Sequence, residues 1–203
     1  MELLWWVILI IGGLLLGGIM FCQWIPAKLV RVDVYRESDN HNPGASNAFK
    51  LCGWKIGLLC VTLDILKGFI PVLLAVLLLN PNSVGLSLVI LAPALGHALG
   101  IFNGFHGGKC IATSFGILAA LIPVTWVPFA VLAGLFLFFT LVWKIDPGSL
   151  RSIIVYALFV LICIIVLPIL NCWEVAFGCL LMGLLPILRF TVWKEKEKYD
   201  VLI

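Results

Sequence analysis

The sequence predicts an all-α, polytopic membrane bundle of about seven transmembrane helices, with its amino terminus outside and its carboxyl terminus cytoplasmic. Three observations carry that expectation. Hydrophobic residues make up 63% of the 203-residue chain and charged residues 11%, and a mean hydropathy of +1.19 marks more apolar surface than a soluble domain of this size buries. Apolar runs recur at about the length of a bilayer span. The basic residues all fall on one side of the resulting topology.

A helix crosses the hydrocarbon core with roughly 20 apolar residues, somewhat fewer when packed among others. The first run, 3–21, follows Met1 and Glu2 with no basic n-region and no small-residue cleavage pattern after it, so it reads as a retained span. Residues 23–55 form the longest polar stretch, an inner segment ahead of the second span at 56–79. The third span covers 86–102. The fourth, 111–122, is short: Pro123 is either the turn before a fifth span at 124–142 or a kink inside one long hairpin element, which leaves six spans as the rival count. Runs at 152–169 and 175–192 complete a single domain over residues 1–203.

Basic residues are retained in the cytoplasm during insertion, whereas acidic ones contribute little. With seven spans and the amino terminus outside, all thirteen lysines and arginines lie inside. Lys28, Arg31, Arg36, Lys50 and Lys55 occupy the first inner segment, Lys67 the inner half of span two, and Lys109 the second inner loop. Lys144 and Arg151 are in the third loop, and Arg189, Lys194, Lys196 and Lys198 are at the carboxyl end. The net charge of +3 and its placement favour membrane lipid headgroups and phosphorylated substrates over nucleic acid. The seven cysteines, at 22, 52, 60, 110, 163, 172 and 179, form no Cys-x-x-Cys pair, lack metal-ligand spacing and read as small apolar packing residues. No metal or other cofactor is expected.

Three polar islands interrupt the apolar sequence. Residues 36–47 pack turn formers, amides and hydroxyls together; they serve either as a turn with Ser46 capping the next helix, or as donors from Arg36, Asn42, Ser46 and Asn47 to a phosphate or to hydroxyls. In the second island, Asp64 and Lys67 stand at i and i+3, on one helix face, so they either neutralise each other or leave Lys67 to snorkel to the headgroups. The third island contains His97 and the run Gly107-Gly108-Lys109. Glycine N–H groups close around an anion, lysine adds a point charge, and a histidine beside such a loop suits proton transfer at neutral pH. His41 and His106 read as solvated loop residues.

Taken together, the islands resemble the bacterial acyl-phosphate-dependent glycerol-3-phosphate acyltransferase family. Arg36 through Asn47, including Asn42, Gly44, Ser46 and Asn47, is similar to that family's first motif. Asp64, Lys67, Gly68 and Pro71 match the second. Gly96, His97, Phe102, Phe105, Gly107, Gly108, Lys109, Ala112 and Thr113 match the third. The resemblance implies transfer of a fatty acyl group from acyl phosphate to the 1-hydroxyl of glycerol 3-phosphate, giving lysophosphatidate and phosphate, in a bacterial cell membrane with the site facing the cytoplasm. It makes His97, Lys109 and Ser46 the candidate catalytic residues. The candidate binding residues are Arg36, Asn42, Gly44, Asn47, Asp64, Lys67, Gly107, Gly108, Thr113 and Ser149, the last similar to a family serine in the third inner loop.

The chain departs from the pattern at Asp39-Asn40-His41, where Gly-Ser-Gly is usual, and at Gly100 and Cys110, where proline and glycine are usual. Near the carboxyl end Arg189 alone is kept from an Arg-His-Arg-x-Asn pattern. These departures motivate an alternative, a catalytically altered relative acting as a membrane binding or partner protein. A small-anion transporter fits less well, because the charges gather near one face and not at the midplane. Acyl-chain preference and oligomeric state leave no mark in the sequence.

Overall fold

Glycine, proline and polar breaks cut the apolar sequence into helices, described for residues 1–191 in a computed structural model of the chain. In order they are α1 (Glu2–Gly18), α2 (Phe21–Leu29), α3 (Val34–Glu37), α4 (Ala45–Leu78), α5 (Val84–Leu99), α6 (Ile111–Ala120), α7 (Val127–Leu137), α8 (Gly148–Ile169) and α9 (Trp173–Thr191). A π-helical turn, Phe138–Val142, continues α7. Among the described residues there is no strand. Lys194, Lys196, Lys198 and the end of the seventh apolar run lie outside the described residues.

Two helices, Ala45–Leu78 and Gly148–Ile169, are long and apolar enough to cross a membrane. The pair Glu2–Gly18 and Phe21–Leu29, bent by 45°, makes a third if it is one span. The stretches 84–99, 111–120 and 127–142 form shorter apolar helices. Pro123 sits in a turn between α6 and α7, so the fourth and fifth runs are separate helices. Leu3, Leu4, Trp5, Ile8, Ile11 and Leu15 are exposed on α1, an apolar face suited to lipid. Leu86, Ile90, Ile117, Leu118, Tyr156 and Phe159 fill the interior.

The largest difference from the predicted elements is at the first inner segment. Its polar composition reads as a connector, yet α4 begins at Ala45, and α2 and α3 fold within the same stretch. The first turns of this helix mix the two characters on both sides: polar Asn47 is buried beside Ala48, while Phe49 and Leu51 are exposed with Lys50. At Gly53, φ of +80° breaks the helical path, a conformation glycine adopts without steric cost, and the span proper follows.

Helix crossings bring the second and third islands together. α4 packs against α6, and α1 against α5. At the α4–α6 crossing a side chain at Gly68 would strike the Thr113 carbonyl, and one at Gly116 the Ile65 carbonyl, so the two backbones touch where Asp64, Lys67 and Thr113 reside.

Candidate functional site

The third island is a loop folded back on its own helix. α5 ends at Gly100, whose φ of +60° turns the chain and whose N–H donates to the Gly96 carbonyl. The chain then returns so that Gly108 N–H donates to the His97 carbonyl at 3.0 Å. Gly107 lies against the Ala98 carbonyl and Gly108 against His97 Nε2, each too close to admit a Cβ. His97, 3% exposed, shares a 3.3 Å hydrogen bond through Nδ1 with Thr113 Oγ1. Lys109, half-buried, precedes Cys110, the N-cap of α6, whose first backbone N–H groups lack helical partners.

His97, Gly107, Gly108, Lys109 and Thr113 therefore form one constellation, with a cation beside the amino-terminal end of a ten-residue helix. Such an end favours an anion through its unpaired N–H groups and its dipole. The glycine pair is also closely packed. Gly108 N–H is committed to His97, and both glycines are present because the space beside them is already filled.

The second island lies beneath this loop. Lys67 Nζ is 2.8 Å from Asp64 Oδ1, an ion pair with side chains 0% and 2% exposed. The ammonium also donates to the Ile19 carbonyl at 2.6 Å and lies 5.7 Å from the centre of the Phe21 ring. Ile19 is the residue at which α1 breaks before α2, so its carbonyl has lost its place in a helical ladder. Lys67 satisfies it and does not snorkel. Cys22 Sγ donates to the other Asp64 oxygen at 3.0 Å, a polar contact where the sequence suggested apolar filler. Nothing in the spacing of residues 22 and 64 announces it.

The first island is the open one. Arg36 is 84% exposed at its side chain, with Nε 3.5 Å from Asp33 Oδ2, and Ser46 is exposed. Asp33 caps α3. Partial burial opposes its charge but is outweighed by the Arg36 N–H and the Gln23 amide, so its carboxyl lies below the usual range. Asn47, buried, donates to Asn40 Oδ1 and to the Asn42 carbonyl, both at 2.7 Å, and Gly44 N–H donates to the Asn42 carbonyl at 2.8 Å. The Tyr35 ring, 4.4 Å from that of His106 and 5.7 Å from that of His41, joins the flank of this island to the third-island loop. Those two histidines are exposed, as expected, but they are packed on an aromatic ring.

Ser149 is half-buried in the first turn of α8, a helix that packs on α7 and α9. Arg189 is the residue most underrated by the sequence. It is 7% exposed, and its Nη2 donates to the Gly107 carbonyl at 2.9 Å. An arginine in an otherwise apolar helix was the available signal, since such a group persists only where it is paired. Among the described residues, no three His, Cys, Asp or Glu side chains converge as a metal site.

Comparison with known proteins supplies a family for this arrangement. The glycerol-3-phosphate acyltransferase family model matches residues 7–203. A glycerol-3-phosphate acyltransferase of Halalkalibacterium halodurans is 38% identical over 164 residues, covering 79% of this chain and 76% of the relative. One of Lactococcus lactis subsp. cremoris is 31% identical over 188 residues, covering 91% and 84%. Among solved structures, PlsY, an integral membrane glycerol 3-phosphate acyltransferase in its glycerol 3-phosphate form, superposes with a TM-score of 0.73 at 35% identity. That match covers 97% of this chain and 91% of the other.

Proposed function

The chain belongs to the glycerol-3-phosphate acyltransferase family, and from that premise we propose that it acylates the 1-hydroxyl of glycerol 3-phosphate with acyl phosphate as donor. The hydroxyl oxygen attacks the acyl carbonyl carbon, an ester C–O bond forms, the bond to the phosphate oxygen breaks, and lysophosphatidate and phosphate result. The observation that carries the reading is Lys109 just ahead of the α6 cap, on a loop held against His97. Both substrates are phosphate-bearing, and a cation next to unpaired helix N–H groups suits either one.

In this proposal Lys109 and the start of α6 hold a phosphate. Gly107 and Gly108 give the loop its close fit, and Thr113 fixes the His97 ring. His97 orients the attacking hydroxyl, and the proton passes to it or to a substrate phosphate oxygen. Arg36, Asn42, Gly44, Ser46 and Asn47 line the open side, where water-soluble glycerol 3-phosphate arrives, and Ser149 approaches from the third loop. Asp64 and Lys67 support the pocket from below. The acyl chain enters from the surrounding lipid. The chain spans a bacterial cell membrane seven times with this site toward the cytoplasm, an orientation that the one-sided placement of basic residues favours.

The test is acyl transfer from a defined acyl phosphate to labelled glycerol 3-phosphate by purified, folded protein. Wild type is expected to form lysophosphatidate, with acyl-CoA failing to replace the donor. Lys109→Ala is expected to lower kcat/KM by about 100-fold, the loss of one charge-assisted phosphate contact, and His97→Ala is also expected to be impaired. Full activity in both variants would sink the assignment, and no product from wild type would sink the reaction.

A further inference from the structure

We infer that Arg189 is a positioning residue for this reaction: by holding the Gly107 carbonyl it fixes the Gly107–Gly108 peptide unit, and so sets the direction in which Lys109 and α6 present their donors. The inference rests on the acyltransferase reading for its chemistry and on the loop's own hydrogen bonds for its geometry.

A peptide unit is planar, so the carbonyl of Gly107 and the N–H of Gly108 point in opposite directions from one rigid plate. The carbonyl accepts from Arg189 Nη2 at 2.9 Å, and the N–H donates to the His97 carbonyl at 3.0 Å. One end is therefore tied to α9 and the other to α5, helices that also pack on each other. The tie matters here because the unit lies between two glycines. Glycine lacks the Cβ that restricts φ and ψ, so a plate flanked by two of them rotates with less steric resistance than any other in the loop.

The chain does not stiffen this position by substitution. A side chain on Gly107 would strike the Ala98 carbonyl, and one on Gly108 would strike His97 Nε2. Close fit demands glycine, glycine brings freedom, and the freedom is removed from outside by a buried guanidinium. Lys109 follows Gly108 directly, so a rotated plate redirects its Cα–Cβ bond. Arg189 makes further contacts besides this one. Its placement in the last turn of an apolar helix, 7% exposed, is the costly arrangement expected of a cation kept for a specific partner.

The experiment compares Arg189→Ala, Arg189→Gln and Arg189→Lys in the full chain by amide exchange without substrate and by saturation kinetics with both substrates. Arg189→Ala is expected to accelerate exchange at Gly108 and to lower kcat/KM by about 10- to 100-fold, the range for loss of a hydrogen bond to a charged group. Added guanidinium ion is expected to restore part of that loss. Arg189→Gln, which keeps an N–H donor without charge, is expected to recover more than Arg189→Lys. Unchanged Gly108 exchange in the Ala variant overturns the inference, as does better recovery by Lys than by Gln, which indicates charge contact with substrate. Should Arg189→Ala fail to fold, exchange at Gly108 in the Gln and Lys variants decides. The exchange arm does not depend on turnover, so an inactive wild type would defeat the proposed reaction and leave the holding of the loop separately judged.

Discussion

Residues 36–47 and residues 96–113 carry similar inventories of turn formers and polar side chains, yet one region lies open and the other is enclosed. Arg36 and Ser46 are exposed, and the amides of 40–47 largely bond one another. His97, Gly107, Gly108 and Thr113 are buried and bonded across elements. The run of departures at Asp39-Asn40-His41 falls in the open region, where Asn40 Oδ1 meets Asn47 without asking anything of a neighbouring helix. In the enclosed region the glycines that touch backbone are kept. Two buried departures, Gly100 and Cys110, fall in the enclosed region as well, so enclosure constrains the closely packed glycines there without fixing every position.

The contrast breaks most directly at the floor of the enclosed region. Lys67→Ala removes the partner of Asp64 and leaves the Ile19 carbonyl unpaired at the α1–α2 break. Breaking a buried ion pair on one side costs about 3–5 kcal/mol, because a charge remains without compensation. A fall in the thermal midpoint of the detergent-solubilised protein is the expected result, with Lys67→Met plus Asp64→Asn recovering much of it. Arg36→Ala, at an exposed pair worth about 0–1 kcal/mol, is the control. Equal shifts in the two single variants would erase the distinction between the regions.

How legible this was in the sequence follows the same division. The all-helical character and most helix positions were readable, because apolar runs and glycine or proline breaks are local properties. The start of α4 was only half readable: Ser46 is a plausible cap by type, but the cap is Gly44, with no side-chain bond, and Ser46 lies inside the helix, because residues 45–50 have the composition of a loop. The pairing of Asp64 with Lys67 was readable from i, i+3 spacing, and the joining of His97 to the Gly-Gly-Lys loop from their shared island. Cys22 against Asp64 and Arg189 against Gly107 join residues 42 and 82 positions apart, and only the packing of α2 on α4 and of α9 on α5 creates them. The glycine pair reads in the sequence as a loop able to close on an anion; what the sequence hides is a second reason for glycine, the filled space beside α5.

A smaller perturbation tests that reason. Gly107→Ala places a methyl group against the Ala98 carbonyl, which is backbone and has no rotamer to yield. The loop must shift, at an overpacking cost of about 1–3 kcal/mol, and Lys109 shifts with it. The expected outcome is a marked loss of activity with a modest change in thermal midpoint. Gly44→Ala meets mainly the Asn42 amide, a side chain able to move, and is expected to do less. Activity unaffected by Gly107→Ala would show that close fit is not what glycine provides there.

The finest test uses two departures that share a backbone conformation and differ in burial. His41 and Cys110 both stand where the resembled motifs have glycine, and both hold positive φ, 43° and 61°. Left-handed geometry costs an L-residue roughly 1–2 kcal/mol, so glycine relieves strain at either site while adding about 0.4–1 kcal/mol of unfolded-chain entropy to overcome. At His41 the remaining losses are a surface ring contact and a hydrogen bond to the Tyr35 carbonyl. His41→Gly should therefore stay within about 0.5 kcal/mol of wild type, as surface changes usually do. Cys110 is fully buried, and its Sγ donates to the Ala94 carbonyl at 3.3 Å. Cys110→Gly opens a void and removes a second, weak bond to a carbonyl already within the α5 ladder, so a net loss of about 1 kcal/mol is expected despite the relief. Thermal midpoints of the two variants measure the difference; a larger loss at His41 would mean that backbone strain, not enclosure, governs where this chain tolerates change.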